Sequence, residues 1–262
     1  MNTRDETAKT NEAHWDKAVE EGCGFTVPWL DLDPDVICRY AAGELEQVTD
    51  PLMSIFPAEI LANVEGKDVL CLAGGGGQQS AVFALLGARV TVVDISEGQL
   101  KGDKIAAEHY GYEVTTIHAD MRDLSCLADE SFDLVYHEIS TSYIPDVHPV
   151  YSEVARVLRP GGLYRTIFTN PAVEFTHEEW NGKGYCITRP YAEKVRHFPG
   201  GAMEYRHYMS DIFNGLIECG FSIQRVEDDP YYLHPNPQAV PGSWEHTLAY
   251  LVGFAIVARK WR

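Results

Sequence analysis

Glycine, aspartate and methionine residues follow three consecutive apolar runs of the chain, and together they could hold a nucleoside. Four glycines, at 74–77, come directly after the first run. Asp94 ends the second run, about 20 residues later, and Asp120-Met121 ends the third. Backbone without side chains can pass close under a ligand, one carboxylate can accept both ribose hydroxyls, and the other can accept from an adenine amino group.

Each of these groups also has an ordinary structural interpretation. A glycine turn between a strand and a helix can be a turn and nothing more. Asp94 could cap the next helix through Ser96-Glu97, and Asp120 could cap a turn at 123–126. Together the three groups favour a ligand site more strongly than any one alone, because the carboxyl ends of consecutive parallel strands meet at one edge of a sheet.

The elements that would position these groups alternate regularly from residue 68 onward. Apolar runs typical of strands lie at 68–73, 89–94, 113–120, 132–139 and 163–170, and helical patterns lie between them at 78–88, 96–111 and 150–162. This series predicts an α/β fold with a doubly wound, mostly parallel sheet. A helical pattern at 209–220 and two β-rich runs, at 221–228 and 246–260, close the chain.

Two segments fall outside this alternation. Residues 1–57 contain a helical pattern at 11–21 and several Pro and Gly breaks, and we expect an N-terminal helical lid or entry segment there. Residues 58–262 would form the α/β domain, with an aromatic cap insertion at about 171–208. These segments are the material available to shield a site at the sheet edge from water.

Between residues 68 and 169 the sequence resembles the class I S-adenosylmethionine-dependent methyltransferases. The glycine stretch looks like the family's first motif, Asp94 like its ribose acid and Asp120-Met121 like its adenine pair. FDLV at 132–135 resembles its fourth strand, and LRPGG at 158–162 resembles the loop before strand five. The resemblance implies a Rossmann-like fold with an antiparallel last strand, and S-adenosylmethionine as cofactor. The residues it implies for cofactor binding are Ala73, Gly74, Gly75, Gly77, Gln78, Gln79, Asp94, Ile95, Gln99, Asp120, Met121 and His137.

The first motif departs from the family pattern at two positions. Its third position is usually an acid and its fifth a glycine, whereas this chain has Cys71 and Ala73. The missing carboxylate often supports the methionine end of the cofactor, and we expect Gln78 and Gln79 to take over that work. Cys71 lies mid-run, so we expect a buried, inert thiol. With FTVP at 25–28, the string VLCLAGGGGQQ resembles a narrower group of bacterial small-molecule methyltransferases.

His137, just past the fourth apolar run, is the candidate for catalysis. Methyl transfer from a sulfonium needs mainly in-line positioning and exclusion of water, with a base only where the acceptor must lose a proton. His137 could supply that base, matter for position alone, or be structural. Aromatic residues outside the common core could cage a flat or cationic acceptor, or equally form the core of the cap. The acceptor candidates are Trp15, Phe25, Trp29, Tyr143, Trp180, Tyr185, Tyr205 and His207.

Two other functions stay open at this point. A glycine loop with an acid about 20 residues later also fits a nicotinamide-dependent oxidoreductase. However, G-x-G-x-x-G spacing needs glycine at position 79 or 80, where the chain has Gln79 and Ser80, and no Tyr-x-x-x-Lys pair follows. A non-catalytic S-adenosylmethionine-binding protein is excluded by no residue.

The composition limits the class of partner. The formal net charge is −18 and no Lys or Arg cluster is visible, so we expect a small-molecule methyl acceptor and no nucleic acid. No run approaches the roughly 20 apolar residues that span a bilayer, and the polar N-terminus lacks a signal-peptide pattern, so we expect no membrane and a cytoplasmic protein. Six cysteines form no C-x-x-C pair, and the HEE string at 177–179 lacks a second histidine four residues on, so we predict no metal.

Overall fold

The computed structural model describes residues 5–45, 48, 51–173, 180–197, 201–233 and 236–261, so the HEE string at 177–179 lies outside the described residues. The strands are β1 (Asp68–Leu72), β2 (Arg89–Asp94), β3 (Val114–His118), β4 (Phe132–His137), β5 (Leu158–Phe168), β6 (Val195–His197), β7 (Met203–Tyr205), β8 (Phe221–Asp228) and β9 (Phe254–Lys260). The α-helices are α1 (Glu6–Glu20), α2 (Pro34–Ala41), α3 (Gln79–Leu85), α4 (Glu97–Tyr110), α5 (His148–Val157), α6 (Met209–Glu218), α7 (Pro230–Leu233) and α8 (Trp244–Tyr250).

Seven of these strands form one mixed sheet in the order β3-β2-β1-β4-β5-β9-β8, while β6 and β7 form a separate hairpin. Strands β1 to β5 run parallel, and β9 is antiparallel to both β5 and β8. The predicted doubly wound α/β fold with an antiparallel last strand is therefore confirmed. The strand order reverses between β1 and β4, where Leu72 pairs with both Val93 and His137. Open α/β sheets bind ligands at such a reversal, beyond the carboxyl ends of the strands.

Strand β1 shows why the sheet is covered on both faces. Its side chains alternate, so that Leu70 and Leu72 join one apolar core, and Val69 and Cys71 join the other. The first core includes residues of α5 and α6, and the second includes residues of α2, α3 and α4. Burying each large apolar side chain contributes roughly 1.5–3 kcal/mol, so the two cores hold the sheet edge rigid.

Three boundaries differ from those that the hydrophobic pattern predicted. Helix α5 ends at Val157 and β5 begins at Leu158, where the pattern predicted a helix to 162 and a strand from 163. Local capping explains the other two differences. The run at 246–260 is not one strand, because α8 ends at Tyr250 and only β9 is extended. Ser243 starts α8 by accepting a hydrogen bond from the His246 N–H at 3.2 Å, and this cap outweighs the β-rich composition. The first helix begins earlier than the predicted 11–21, because the carboxylate of Asp5 accepts from the Ala8 N–H at 2.9 Å.

Candidate active site

The glycine loop packs directly against α4. Gly76 and Gly77 have φ values of +112° and +76°, a region that side chains disfavour. A Cβ added to Gly77 would clash with the carbonyl oxygen of Gly102 on α4, and one added to Gly75 would lie 2.7 Å from Cβ of Gln99. These positions therefore require glycine, because helix and loop approach closely.

Asp94 ends β2, and both its carboxylate oxygens are used within the chain. Oδ2 accepts from the Gly75 N–H at 3.0 Å, and Oδ1 accepts from the Ser96 N–H at 2.9 Å. Burial raises the pKa of Asp94, and these two backbone hydrogen bonds act against that rise. Ser96 is the N-cap of α4, since its Oγ accepts from the Gln99 N–H. Asp94 thus links the loop to the start of α4 without capping the helix itself.

Asp103, on α4, is a residue that the sequence analysis missed. Its buried carboxylate accepts hydrogen bonds from the Gly76 and Gly77 N–H groups, each at 3.1 Å, and from Ser80 Oγ at 2.5 Å. Burial raises the pKa of Asp103 to about 7, and the bonds from Ser80 and Gly76 pull it down. The sequence did contain a signal, the Gly102-Asp103 pair in the middle of α4. The glycine lets the loop approach the helix closely, and the acid lies at a position that is buried.

Glutamine side chains surround the loop on its other sides. Gln78 Nε2 donates to the carbonyl oxygens of Gly24 and Val27, at 3.2 and 2.9 Å, and so ties the N-terminal segment to the loop. The Oε1 atoms of Gln79 and Gln99 are buried and accept no hydrogen bond from the part of the chain that the structure describes. An unsatisfied buried acceptor costs about 1–3 kcal/mol, which a ligand N–H or O–H would relieve. S-adenosylmethionine carries ammonium and hydroxyl groups, which are donors of the kind that such oxygens accept.

Asp120 is paired with an arginine two residues further on. Arg122 Nη2 lies 2.6 Å from Asp120 Oδ2, and its Nη1 lies 2.7 Å from Asp5 Oδ2 at the start of α1. The backbone N–H of Arg122 also donates to Asp120 Oδ1 at 2.9 Å. Met121 is buried, and its sulfur accepts from Ser140 Oγ at 3.7 Å. The two residues of the predicted adenine pair thus lie in a network that joins α1 to the loop after β4.

Helix α1 extends across the carboxyl ends of β2 and β3. Asp16 Oδ1 accepts a hydrogen bond from Ser96 Oγ at 2.6 Å, and Ser96 follows Asp94 by two residues. Glu12 Oε1 lies 2.9 Å from His118 Nε2, which also lies 2.7 Å from the carbonyl oxygen of Ile95. The predicted cofactor edge is therefore covered by polar contacts from the N-terminal helix.

The same helix reaches the loop after β4 and the β6–β7 hairpin. Asn11, which is buried, donates through Nδ2 to the carbonyl oxygens of Tyr143 and Met203, at 2.9 and 3.1 Å. Thr7 Oγ1 lies 2.9 Å from Tyr205 Oη. Both segments outside the strand and helix alternation therefore meet above one end of the sheet.

Six of the eight acceptor candidates fall into two groups, and Phe25 and Trp29 belong to neither. Trp15 meets Tyr143 edge to face at 5.5 Å, and Tyr205 and His207 line a small cavity beside the turn at 141–143. His207 also lies 2.8 Å from the carbonyl oxygen of Thr141 through Nε2.

Trp180 and Tyr185 form a separate group with His246 and Tyr250, in which the Tyr185 hydroxyl lies 2.6 Å from His246 Nδ1. Phe25 is 65% exposed. The Trp29 side chain packs against the core that includes α3, and its backbone N–H donates to the Gly77 carbonyl oxygen at 3.1 Å. The contacts of these residues thus lie away from the Trp15–Tyr143 pair.

His137 has no exposed surface. Its Nδ1 lies 2.7 Å from the Tyr164 hydroxyl, and its Nε2 lies 2.7 Å from Ser140 Oγ. Burial, followed by the charge of Arg165, lowers the pKa of His137 to about 3. The imidazole is therefore neutral at neutral pH, and its contact with Ser140 is to a side chain that is also buried.

Buried Arg165 and partly buried Glu138 form a second charged pair that the hydrophobic pattern did not predict. Arg165, on β5, is fully buried between the rings of Phe56 and Tyr136, and its Nη1 lies 3.6 Å from Glu138 Oε1. A Cβ on Gly74 would lie 3.5 Å from Cγ of Glu138. This charged pair therefore borders the glycine loop on its β4 side.

The described residues contain no group of three or more His, Cys, Asp or Glu side chains that could hold a metal ion. Within the same residues, no helix combines the length and the apolar character needed to cross a membrane.

Comparison with known proteins identifies the family. Residues 70–166 match the methyltransferase domain family. The chain is 35% identical over 231 residues to the uncharacterized methyltransferase YbaJ of Bacillus subtilis (strain 168), covering 84% of this chain and 89% of that protein. It is 26% identical to the ubiquinone biosynthesis O-methyltransferase of Nitrosospira multiformis over 80% of this chain and 87% of the relative.

Solved structures show the same fold. An S-adenosylmethionine-dependent methyltransferase from Mesorhizobium loti superposes with a TM-score of 0.63 at 24% identity, over 77% of this chain and 94% of the other. Geranyl diphosphate C-methyltransferase from Streptomyces coelicolor, solved with S-adenosyl-L-homocysteine, gives 0.64 at 17% identity, over 99% and 100%. With its sheet order, its glycine loop and a relative that it matches over most of both lengths, the chain belongs to the class I S-adenosylmethionine-dependent methyltransferases.

Proposed function

We propose that this enzyme transfers the methyl group of S-adenosylmethionine to a small-molecule acceptor at the carboxyl edge of the sheet. The observation that carries this proposal is the surrounding of the glycine loop, where the buried carboxylate of Asp94 accepts from the Gly75 N–H. Gln99 Oε1, which accepts no hydrogen bond from the described residues, lies 2.9 Å from where a Cβ on Gly76 would be. When bound, S-adenosylmethionine supplies a methyl group activated by a positive sulfonium. The chain supplies binding, orientation and exclusion of water.

Roles for the cofactor residues follow from the strand that each one ends. Asp94 accepts hydrogen bonds from the ribose hydroxyls, and Asp120 accepts one from the adenine amino group. Met121 packs on the adenine ring. Gln79 and Gln99 accept from polar hydrogens of the ligand. The remaining proposed contacts are through Ala73, Gly74, Gly75, Gly77, Gln78 and Ile95, and through the backbone at His137.

The proposed acceptor site lies where α1, the turn at 141–143 and the β6–β7 hairpin meet. Trp15 and Tyr143 offer aromatic faces there, and Tyr205 and His207 line the cavity. Such a site suits a flat or cationic acceptor. In this proposal residues 1–57 act as a lid and the insertion at 171–208 as a cap, and both keep water from the reacting atoms.

The aromatic candidates whose contacts lie elsewhere are left out of the proposed first contacts. Phe25 is mostly exposed, Trp29 packs beside α3, and Trp180 with Tyr185 belongs to the group around α8. We assign the last two to the core of the cap.

His137 is proposed as a positioning residue and not as the base. Its buried ring links the Tyr164 hydroxyl to Ser140 Oγ, which in turn contacts the sulfur of Met121. A neutral imidazole held at both nitrogens fixes the Ser140 rotamer beside the adenine pair. Any proton that the acceptor loses goes to water or to a side chain that the acceptor itself touches.

Binding of a nicotinamide dinucleotide is disfavoured, because its negative pyrophosphate would compete with a carboxylate of the chain. The loop N–H groups that would meet its pyrophosphate already bind the carboxylate of Asp103. The total charge of −18 likewise disfavours nucleic acid as acceptor.

Two measurements test the proposal. Isothermal titration calorimetry of the full chain with S-adenosylhomocysteine should show one site per chain, and NADH should show none. Radiolabelled S-adenosylmethionine is then incubated with fractionated small-molecule pools, and label should move to an extractable product. Binding without transfer to any pool would favour a non-catalytic binding protein, and binding of NADH alone would favour the oxidoreductase.

A further inference from the structure

The glycine loop forms a concave set of backbone N–H groups, and a carboxylate of the same chain fills it. The N–H of Gly77 donates to Asp103 Oδ1 at 3.1 Å. The N–H of Gly76 is shared between Asp103 Oδ2 at 3.1 Å and the carbonyl oxygen of Gln99 at 3.0 Å. Ser80, in the first turn of α3, donates its hydroxyl to Oδ1 at 2.5 Å. The side chain of Asp103 is fully buried, so no solvent competes for these donors.

Concave groups of consecutive N–H donors usually bind anions from outside, such as phosphate. In this chain the anion is the side-chain carboxylate of Asp103 on α4. The neighbouring Gly102 allows the helix to lie close enough for this carboxylate to reach the loop. A Cβ on Gly102 would lie 2.6 Å from the carbonyl oxygen of Gly76, so only glycine lets the helix approach this closely. Loop and helix therefore contact each other closely through their backbones and through a carboxylate of the same chain.

We propose that Asp103 is a positioning residue for the cofactor, because its carboxylate replaces an external anion and fixes the glycine loop in its ligand-binding shape. This inference rests on the proposed function, since the loop borders the proposed cofactor site. It accounts for the motif departure at β1: after burial, the charge of Asp103 is the next cause that raises the pKa of the Cys71 thiol. An acid at position 71 would be repelled by that charge, and the loop obtains its carboxylate from α4 instead.

The test compares Asp103→Asn with Glu108→Gln, which removes an exposed carboxylate from the same helix. Calorimetry measures S-adenosylhomocysteine affinity at about pH 8, and hydrogen exchange measures protection of the Gly76 and Gly77 amides in the ligand-free chain. We expect Asp103→Asn to weaken affinity roughly tenfold or more, because bonds to a charged acceptor are lost. Exchange should accelerate most at Gly77, since the Gly76 N–H keeps its bond to the carbonyl oxygen of Gln99. Glu108→Gln should change neither quantity more than about twofold.

The outcomes separate this inference from the proposed function. Wild-type affinity and wild-type protection in folded Asp103→Asn would overturn the positioning role, whatever happens to the melting temperature. If the wild-type chain itself binds no S-adenosylhomocysteine, the proposed function fails, while the exchange data still decide whether Asp103 fixes the loop.

Ser80→Ala decides the case if Asp103→Asn does not fold. It removes one of the three donors and keeps the carboxylate, so we expect affinity to fall by roughly three- to tenfold and exchange at Gly77 to rise. Unchanged affinity together with unchanged exchange would overturn the inference.

Discussion

Asp16 and Ser96 lie 80 positions apart in the chain, yet Ser96 Oγ donates to Asp16 Oδ1 at 2.6 Å. Ser96 is the N-cap of α4, and Asp94 precedes it by two residues. The first helix is thereby fastened to the element that carries the proposed ribose acid. Contacts of Glu12 and Asn11 continue along the same helix to β3 and to the loop after β4.

Removal of this helix tests the lid. We expect a chain that lacks residues 1–22 to keep a folded sheet but to lose methyl transfer, since Trp15 and the polar contacts over the cofactor edge are gone. A melting curve is paired with a transfer assay, once an acceptor is found, and with S-adenosylhomocysteine dissociation rates. Lys17→Ala is the control, because it removes only an exposed contact with Glu21. Near-normal turnover by the truncated chain would exclude the lid role, and parallel loss of stability and activity would indicate ordinary packing.

Asp94→Ala should weaken S-adenosylhomocysteine binding by roughly 1.5–3 kcal/mol, the range for a hydrogen bond to a charged group. Calorimetry on the folded variant measures the change, with exposed Asp35→Ala as the matched control. Because Asp94 also holds Gly75 and Ser96, a melting curve is needed to confirm that the sheet is intact. Equal affinity of Asp94→Ala and the wild type would remove Asp94 from the proposed site.

Asp103 should make stability depend on pH in a defined window. Burial raises its pKa from 3.8 to about 7, and the charge of Asp94 adds to the rise. Buried Cys71 and Tyr112 stay neutral beside it, because their pKa values are also raised. When the pKa of an acid is higher in the folded than in the unfolded chain, its contribution to the free energy of unfolding is complete below the unfolded-state pKa. That contribution is lost as pH rises from about 4 to about 7.

The measurement is the free energy of unfolding of the wild type minus that of Asp103→Asn, taken across this window. We expect the difference to fall as pH rises, by up to roughly 4 kcal/mol, and to level off above about pH 7. A difference that rises over the same window would mean that the donors around Asp103 outweigh its burial.

His137 should remain neutral far below its ordinary pKa. Burial lowers the pKa of its imidazole from 6.5 to about 3, so its contribution to stability is present above 6.5 and is lost as pH falls toward 3. Nuclear magnetic resonance of imidazole-labelled protein should show no titration of His137 between about pH 8 and pH 5. Exposed His148, whose pKa is raised by its bond to Asp146, serves as the internal control that does titrate. A His137 midpoint near 6.5 would restore it as a candidate base.

Cys71 should resist thiol reagents in the folded chain. It is buried in the core of β1, and burial raises its pKa, so little thiolate is exposed. Mass spectrometry after a short pulse of labelling should find label on exposed Cys38, Cys126 and Cys186 before Cys71. Rapid modification of Cys71 would contradict the buried, inert assignment.

The sequence predicts those parts of this molecule that depend on local pattern. Apolar runs and glycine breaks indicated where strands β1 to β5 lie along the chain, because hydrophobic periodicity and turn chemistry act over a few residues. The strand over 246–250 was wrongly predicted, since a serine cap outweighed β propensity at α8.

Contacts between distant segments were not predictable in the same way. Asp103 meets Gly76 over 27 positions, and Arg122 meets Asp5 over 117, so no short motif contains either pair. The burial of His137 likewise depends on Tyr164 and on packing across β4 and β5. Residue types marked the edge where a site could form, whereas partners and burial required the assembled sheet.

Gly102 has a consequence for anyone who would engineer this enzyme. A glycine inside a helix is ordinarily the first position changed to alanine when a more heat-resistant variant is wanted, with an expected gain of about 1 kcal/mol. Here the added methyl would strike the carbonyl of Gly76 at 2.6 Å and push the loop off its helix. Helix propensity alone would therefore favour a substitution here that stabilises α4 but displaces the glycine loop.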